Sequence, residues 1–72
     1  MDKEIIEFIK WDFKNYLHEL DFVSYKFMDG SLWSRWRFKP DIIDRDNLQG
    51  EDQYFETDHC MGVYNDYFEI QP

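Results

Sequence analysis

The chain has 72 residues, of which 16 are acidic and 8 are Lys or Arg, and its net charge at pH 7 is −8. This length predicts one domain over residues 1–72, and the seven Phe, five Tyr and three Trp argue against a disordered acidic tail, which would be poor in aromatics. A single cysteine excludes a disulfide within the chain. The sequence shows neither a signal peptide nor an apolar run near the roughly 20 residues of a membrane span, so we expect a cytoplasmic protein.

The first predicted element is a helix over about residues 2–19. Apolar residues recur there at three- and four-residue steps, which is typical of a helix with one buried face. The members of this stripe are Ile6, Ile9, Phe13, Tyr16, Leu17 and Leu20. Asp2 and Glu4 fall in the first turn, where the helix dipole favours acids. The pattern therefore predicts one amphipathic helix.

Two alternating runs follow, separated by Asp29-Gly30, which is a strong signal for a two-residue hairpin turn. The predicted hairpin covers about residues 22–38. Its register pairs Met28 with Ser31, Phe27 with Leu32, Tyr25 with Ser34, and Val23 with Trp36. The face that we expect in the core carries Val23, Tyr25, Phe27, Leu32, Trp36 and Phe38. The opposite face carries Ser24, Lys26, Met28, Ser31, Trp33, Arg35 and Arg37.

The rest of the chain is predicted as turns and strands. Pro40 ends the hairpin, and residues 41–52 form an acidic turn region. Strands then occupy about residues 53–71, as a third strand followed by a last hairpin that turns at Asn65-Asp66. That hairpin places Val63 opposite Phe68 and Met61 opposite Ile70. The predicted fold class is α+β, with one N-terminal helix packed on a four- to five-stranded antiparallel sheet built from hairpins.

A calcium loop is the first chemical candidate, because Asp44 and Asp46 stand just before Gly50. An EF-hand loop needs an oxygen ligand, a glycine and a glutamate at positions that are here occupied by Leu48, Gln49 and Phe55. The match fails at all of them, and we predict no metal site. A weak divalent-ion site near Asp44 and Asp46 stays open.

His59 and Cys60 are the second chemical candidate. A zinc site needs about four ligands, and the remaining histidine, His18, lies on the predicted helix. Neighbours on a strand point to opposite faces, so these two residues do not form a catalytic dyad. We expect Cys60 to be a small buried hydrophobe and His59 to be an exposed residue at a strand end. A chain this short leaves little room for a pocket that shifts carboxylate pKa values, so we predict no enzyme activity and no cofactor.

The only basic stretch is Trp33, Arg35, Arg37 and Lys39, which resembles a small platform for nucleic acid. The excess of acids opposes a phosphate ligand, so we expect no direct nucleic-acid binding. These cations can instead neutralise carboxylates beside them, in this chain or in a second copy. We predict a homodimer, the commonest closed assembly. Its contact residues would be Trp33, Arg35, Arg37, Tyr64 and Tyr67.

The densest charge lies in residues 41–58, here called the acidic segment, which holds one cation, Arg45, among seven carboxylates. The carboxylates are those of Asp41, Asp44, Asp46, Glu51, Asp52, Glu56 and Asp58. Residues i and i+2 of a strand point the same way, roughly 6.6 Å apart, which predicts Asp44–Asp46 and Glu56–Asp58 as pairs. DNA carries one phosphate per roughly 3.4 Å of rise along each strand, so such pairs can imitate phosphates. The other interpretation is that the acids serve solubility alone.

A short, strongly acidic, aromatic-rich chain without a catalytic motif resembles the phage-encoded DNA-mimic inhibitors. That group includes uracil-DNA glycosylase inhibitors, several anti-CRISPR and anti-restriction proteins, and inhibitors of the nucleoid protein HU. The resemblance lies in composition over the whole chain, and the basic stretch departs from it. It implies an inhibitor, acting in the host cytoplasm, whose acidic segment blocks the DNA access of a nucleoid protein, nuclease or repressor. The alternative is another small interaction protein, such as an immunity or antitoxin partner or a virion component, that binds through its aromatic surface.

Overall fold

The computed structural model describes residues 2–70, which form helices on a small antiparallel sheet. The elements are α1 (Asp2–Asp12), β1 (Leu20–Met28), β2 (Ser31–Phe38), α2 (Pro40–Asp46), β3 (Tyr54–His59) and α3 (Met61–Ile70), with 3₁₀ turns at Lys14–Tyr16 and Gly50–Gln53. The strand order is β1-β2-β3, so β2 is central. The α+β class is confirmed, whereas the expectation of one helix and four or five strands is wrong.

The first helix is shorter than predicted, because it ends at Asp12 and gives way to the 3₁₀ turn. Its buried residues are Ile5, Phe8 and Ile9, whereas the predicted stripe ran through Ile6 and continued to Leu20. The two faces share Ile9, and the predicted stripe differs by taking Ile6 where the structure buries Ile5 and Phe8. Leu20 is still buried, but it begins β1 instead of ending a helix.

The hairpin turn at Asp29-Gly30 is confirmed. Asp29 has φ 53° and Gly30 has φ 77°, and two consecutive positive φ values are what a type I′ hairpin turn requires. Next to the turn, Phe27 pairs with Leu32 and Tyr25 with Ser34, as predicted.

Further from the turn, a β-bulge changes the register. Phe22 pairs with Trp36 and Ser24 pairs with Arg35, so Val23 is the extra residue on β1. The predicted pairing of Val23 with Trp36 is therefore wrong. Val23 is exposed, while the Phe22 ring lies edge-on to Trp36 with ring centroids 5.6 Å apart.

The predicted acidic turn region contains α2, which local sequence signals explain. Pro40 occupies the first turn, where its missing N–H is not needed. Asp41 lies near the positive end of the helix dipole. The helix ends at Asn47, whose φ of 52° is left-handed, as is common for a residue that terminates a helix. Ile42 is buried and holds α2 against the domain.

The predicted C-terminal strands are correct for β3 and wrong beyond it. Residues 61–70 form α3, so neither Val63–Phe68 nor Met61–Ile70 is a cross-strand pair; residue 71 lies outside the described residues. Helical spacing places on one stripe the residues that pack against the core cluster, namely Met61, Tyr64, Tyr67 and Phe68. The Phe8 ring on α1 lies 5.2 Å from the rings of both Tyr64 and Tyr67. Burial against α1 therefore favours the helix.

These contacts divide the sheet into two faces. The face that α1 and α3 cover includes Leu32, Ser34 and Trp36, all buried. The alternating residues of β2 lie on the opposite face, where Arg37 is exposed. Within residues 2–70, none of the helices has the length and apolar character that crossing a membrane requires.

Candidate functional site

The acidic segment lies entirely on the surface. All seven of its carboxylate residues are exposed. They are carried by consecutive elements: Asp41, Asp44 and Asp46 by α2, Glu51 and Asp52 by the second 3₁₀ turn, and Glu56 and Asp58 by β3. A continuous stretch of chain therefore presents acids on three different backbone conformations, and their spacing differs from one element to the next.

On α2 the predicted carboxylate pair is wrong. Asp44 and Asp46 lie on a helix, where residues two apart point about 200° away from each other. Asp46 instead accepts hydrogen bonds from the neighbouring Arg45, at 3.1 Å from Nε and 3.2 Å from Nη2. These hydrogen bonds lower the pKa of the Asp46 carboxyl. The carboxylates that share a side of α2 are Asp41 and Asp44, three residues apart, with about 5–6 Å between Cβ atoms.

On β3 the predicted pair does share a face, because Glu56 and Asp58 alternate along a strand. Glu56 accepts a hydrogen bond from Arg35 Nη1 at 2.9 Å, and Glu51 accepts one from Arg35 Nη2 at 3.1 Å. These hydrogen bonds raise the pKa of the Arg35 guanidinium. Asp58 forms no ion pair within residues 2–70.

Arg35, Glu51, Glu56 and Tyr54 are called the ionic cluster below. The Arg35 guanidinium lies 4.2 Å from the centre of the Tyr54 ring, a cation–π distance. The other cations of the basic stretch are also engaged: Lys39 Nζ lies 2.6 Å from Asp21, and Arg37 donates to Gln53 at 3.0 Å. The basic stretch thus interacts with neighbouring side chains of its own chain.

Four carboxylates of the acidic segment remain without a cation. Asp41, Asp44, Asp52 and Asp58 form no ion pair with any residue that the structure describes. Two of them stand on α2, one on the 3₁₀ turn and one on β3. The charge of the acidic segment is therefore only partly neutralised, and the remainder faces solvent.

The residues expected at a dimer contact do not form one surface. Tyr64 and Tyr67 lie on α3, half-buried against the core, because the hairpin that would have turned them outward does not form. Trp33, Arg35 and Arg37 lie on the opposite face of the sheet. The homodimer itself stays a prediction.

A buried polar cluster escaped the sequence interpretation. His59 Nδ1 lies 2.8 Å from Asp12 Oδ2, and His59 Nε2 lies 2.6 Å from Ser34 Oγ. Trp36 Nε1 donates to the same Ser34 Oγ at 2.8 Å. His59 is 3% exposed and Ser34 is 1% exposed. These four residues are called the buried relay.

The relay overturns two expectations about the strand end. His59 is buried instead of exposed, and Cys60 is exposed instead of buried. Strand alternation contained the signal, since His59 lies on the same side of β3 as Thr57, which pairs with Ser34. Ser34 itself stands between Leu32 and Trp36 on the predicted core face, and a buried hydroxyl there requires a partner.

The order Ser34–His59–Asp12 has the geometry of an activated nucleophile, in which a third group orients the base. Its burial favours a structural role, because a substrate has no open path to Ser34 Oγ. With a neutral His59, Trp36 donates to Ser34, Ser34 donates to His59, and His59 donates to Asp12; this tautomer is inferred from the hydrogen bonds. Each donor then has an acceptor, so the relay ties α1 to β2 and β3. The absence of enzyme activity stays a prediction.

Beside α2 lies an aromatic groove of about 290 Å³. The groove is lined by Phe13, Tyr16, Glu19, Leu20, Phe38 and Phe55. Tyr16 is 52% exposed and Phe55 is 40% exposed, so the groove opens at these two rings. The backbone N–H of Lys39, the residue before α2, donates to the carbonyl oxygen of Glu19 at 2.9 Å, so the groove lies next to the start of α2 and of the acidic segment.

The described part of the chain contains no group of three or more His, Cys, Asp or Glu side chains placed to hold a metal ion. Comparison with known proteins finds no matching family model, no matching curated protein and no matching solved structure. The function is therefore argued from the charge and shape of the surface.

Proposed function

We propose that this protein is an inhibitor that binds a basic DNA-binding protein and blocks its access to DNA. The observation that carries the proposal is the uneven neutralisation of charge. Arg35 and Lys39 are paired with carboxylates of the same chain, while Asp41, Asp44, Asp52 and Asp58 are exposed without an ion pair in residues 2–70. The exposed field of the acidic segment is therefore anionic.

The pairing of Arg35 and Lys39 reduces one objection to imitation of DNA, although within residues 2–70 the exposed Arg37 bonds only the neutral side chain of Gln53. Free cations on the sheet would repel the lysines and arginines of a DNA-binding partner. The guanidinium of Arg35 is instead held between Glu51 and Glu56, so its charge is locally compensated. The same pairing weakens the competing idea of a nucleic-acid platform, which needs cations available for phosphates.

The backbone fixes the separation of the free anions. Asp41 and Asp44 are one helical turn apart on α2, whereas the neighbour of Asp58 on β3, Glu56, is already paired with Arg35. The Asp41–Asp44 pair therefore offers two free carboxylates at a fixed separation, about 5–6 Å between Cβ atoms, which cationic side chains that bridge neighbouring phosphates can meet. Because regular elements hold these positions, less conformational entropy is lost when a partner binds.

The proposed mechanism is steric and electrostatic occlusion without chemistry. Lysine and arginine side chains that would contact phosphates contact the free carboxylates instead. A single exposed ion pair contributes only about 0.2–1 kcal/mol. Affinity therefore depends on the array of acids and on electrostatic steering, which accelerates encounter.

The test is displacement of labelled duplex DNA from an HU-type nucleoid protein and from partners captured from bacterial lysate. In one variant Asp41, Asp44, Asp52 and Asp58 are all replaced by Asn. A matched control carries Glu7→Gln, Asp29→Asn, Asp66→Asn and Glu69→Gln, which are exposed acids outside the acidic segment. Each variant raises the net charge from −8 by four, to −4.

We expect the first variant to compete about 10- to 100-fold less well, as four pairs of about 0.5 kcal/mol each would give. The control should compete nearly as well as the parent, because steering alone responds to total charge. Equal losses in the two variants would show that only net charge matters. Undiminished competition by the first variant, or captured partners that lack a basic DNA-binding surface, would contradict the proposal.

The alternative, an interaction protein that binds through aromatic surface, is favoured by the exposure of Tyr16 and Phe55 at the groove. Salt separates the two functions. Between about 0.05 and 0.5 M salt the Debye length falls from about 14 Å to about 4 Å. Binding through the acidic segment should weaken steeply over that range, whereas binding through aromatic surface alone should hardly change.

A further inference from the structure

We infer that the aromatic groove is a second contact for the same partner and receives one apolar side chain flanked by lysine or arginine. This inference rests on the proposed function, because it takes the partner to be basic. It adds a specificity-determining contact that the carboxylates cannot supply.

The groove has a firm floor and an open rim. The Phe13 ring stacks on the buried Trp36 at a centroid distance of 5.3 Å and an interplanar angle of 8°. Leu20 is buried, and it closes the groove from the side of β1. Tyr16 and Phe55 stand exposed at the opening. The floor is therefore preorganised, while the rim offers aromatic rings to an incoming group.

The size of the groove limits its occupant. Its volume of about 290 Å³ lies just below the range of about 300–1,000 Å³ for small-molecule sites. Its lining is apolar except for Glu19. One aromatic or branched aliphatic side chain fits these features better than a polar cofactor does.

The charges around the groove select a basic occupant. Glu19 is part of the groove wall. Lys39, which directly precedes α2, donates its backbone N–H to the carbonyl oxygen of Glu19 at 2.9 Å, so α2 begins beside the groove and carries the exposed Asp41 in its first turn. A residue that enters the groove brings its sequence neighbours close to these acids, and cationic neighbours are stabilised there. A second copy of the chain, with its own net charge of −8, would be repelled.

A contact in the groove would supply the affinity and specificity that purely ionic binding lacks. Exposed ion pairs are individually weak, and they distinguish poorly between one basic surface and another. An apolar anchor surrounded by polar contacts is the usual arrangement of an interface that has both affinity and specificity. The groove supplies the apolar anchor of that arrangement, and Glu19 with the exposed acids of α2 supplies its polar surroundings.

Three short peptides test the inference by NMR titration of the isotopically labelled protein. The first is acetyl-Lys-Lys-Gly-Trp-Gly-Lys-Lys-amide. The second replaces its tryptophan by serine, and the third replaces its lysines by serine. We expect the first to bind about tenfold more tightly than either of the others, as a hot-spot side chain would. It should shift the backbone amide signals of Tyr16, Leu20 and Phe55.

Two variants serve as a matched pair. Phe55→Ala removes a ring at the groove, and Phe27→Ala removes a ring of similar exposure, 51% against 40%, on a different strand. Binding of the first peptide should fall at least about fivefold in Phe55→Ala and stay unchanged in Phe27→Ala. If Phe55→Ala disturbs β3, Tyr16→Ser can replace it, because Tyr16 lies outside the sheet and carries the other exposed ring at the groove. Binding of the first peptide should then fall in Tyr16→Ser.

The outcomes separate the inference from the proposed function. If both lysine peptides bind equally, with shifts confined to α2 and β3, the groove inference is overturned and the proposed function stands. If the uncharged tryptophan peptide binds as well as the basic one, the commitment to a basic partner is overturned. If neither lysine peptide binds, both ideas fail. Self-association that Phe55→Ala abolishes would assign the groove to a second copy and also overturn the inference.

Discussion

The buried relay and the ionic cluster lie on opposite faces of the same strand, since Ser34 and Arg35 are neighbours on β2. Each network reaches β3, through His59 in one case and Glu56 in the other. The relay is enclosed, with Ser34 1% exposed. In the cluster, the side chains of Arg35 and Glu51 are 29% and 83% exposed. Similar hydrogen-bond distances thus occur in two very different surroundings.

The surroundings of a hydrogen bond decide how much it contributes to stability. Water can replace a lost partner in the ionic cluster, and salt screens what remains. Neither reaches Ser34 or His59 without opening the core, so an unpaired group there keeps its full desolvation cost. Only the Asp12 end of the relay meets solvent, with 27% of that side chain exposed. The relay should therefore govern stability, while the cluster leaves stability nearly unchanged and governs the exposed charge.

His59→Ala should have the largest effect on this comparison. The substitution leaves Ser34 and Asp12 without their partner and opens space between the Phe8 and Phe13 rings, whose centroids lie 5.9 and 5.2 Å from the imidazole. We expect a loss of about 3–4 kcal/mol in the free energy of unfolding, measured by urea denaturation. His18→Ala removes an exposed imidazole as the control. Equal losses in both variants would contradict a structural role for the relay.

Ser34→Ala should have the next largest effect. It removes the atom that accepts from Trp36 and contacts His59, at the cost of about 1–3 kcal/mol for unpaired buried groups. Ser24→Ala, on the exposed part of β1, should change the free energy of unfolding very little. If Ser34→Ala is as stable as the parent, the hydrogen bonds of the buried relay do not contribute to the free energy of unfolding as predicted.

Arg35→Gln should lower stability less than Ser34→Ala does, and only at low salt. The arginine is bonded to Glu51 and Glu56, which are both exposed. Thermal unfolding at about 0.02 and 1 M salt should show the difference between variant and parent shrinking, because the Debye length falls to about 3 Å at 1 M. A large loss of thermal stability that does not change with salt would mean that the ionic cluster contributes to stability in the same way as the buried relay.

The smallest predicted effect concerns alkaline pH. The hydroxyl of Tyr25 donates to Asp2 Oδ1 at 2.6 Å, and this hydrogen bond raises the pKa of Tyr25. Since the folded pKa is raised, the stabilisation is fully present below the unfolded pKa near 10 and is lost as pH rises through the folded pKa. Tyr25→Phe should remove that part of the pH dependence. Thermal melting between about pH 9 and 11 checks this; parallel curves for parent and variant would disprove it.

The first hairpin could be predicted because its signal is local. Gly30 adopts positive φ without steric cost, and Asp tolerates it at position 29. The bulge at Val23 could not be predicted, because Phe22 and Val23 are both apolar and the sequence pattern does not decide which of them faces the core. The choice depends on Trp36, against which Phe22 packs edge-on.

The C-terminal segment could not be assigned from its own residues. Met61 and Phe68 fit the inner face of a hairpin that turns at Asn65-Asp66, and the same two residues fit a helical stripe together with Tyr64. Contact with Phe8, more than fifty residues earlier in the chain, decides between them. Such long-range burial commonly overrides local propensity.

At the candidate site, the identity of the exposed carboxylates followed from the sequence, but their partners did not. Glu51 and Glu56 are neutralised by an arginine 16 and 21 residues away, and no short-range pattern encodes that pairing. The positions of Asp44 and Asp46 are ambiguous in the sequence for a different reason, because Pro40 is compatible with the end of a strand and here begins a helix.

The bulge at Val23 has a consequence for behaviour at high concentration. β1 is an edge strand of nine residues that carries exposed Val23, Phe27 and Met28. A flat, apolar edge of that length is a template on which further chains can add strands and grow into fibrils. The extra residue bends the strand and breaks the even row of free amides and carbonyls. The β-bulge at Val23 therefore makes this edge strand a poor template for strand addition and fibril growth.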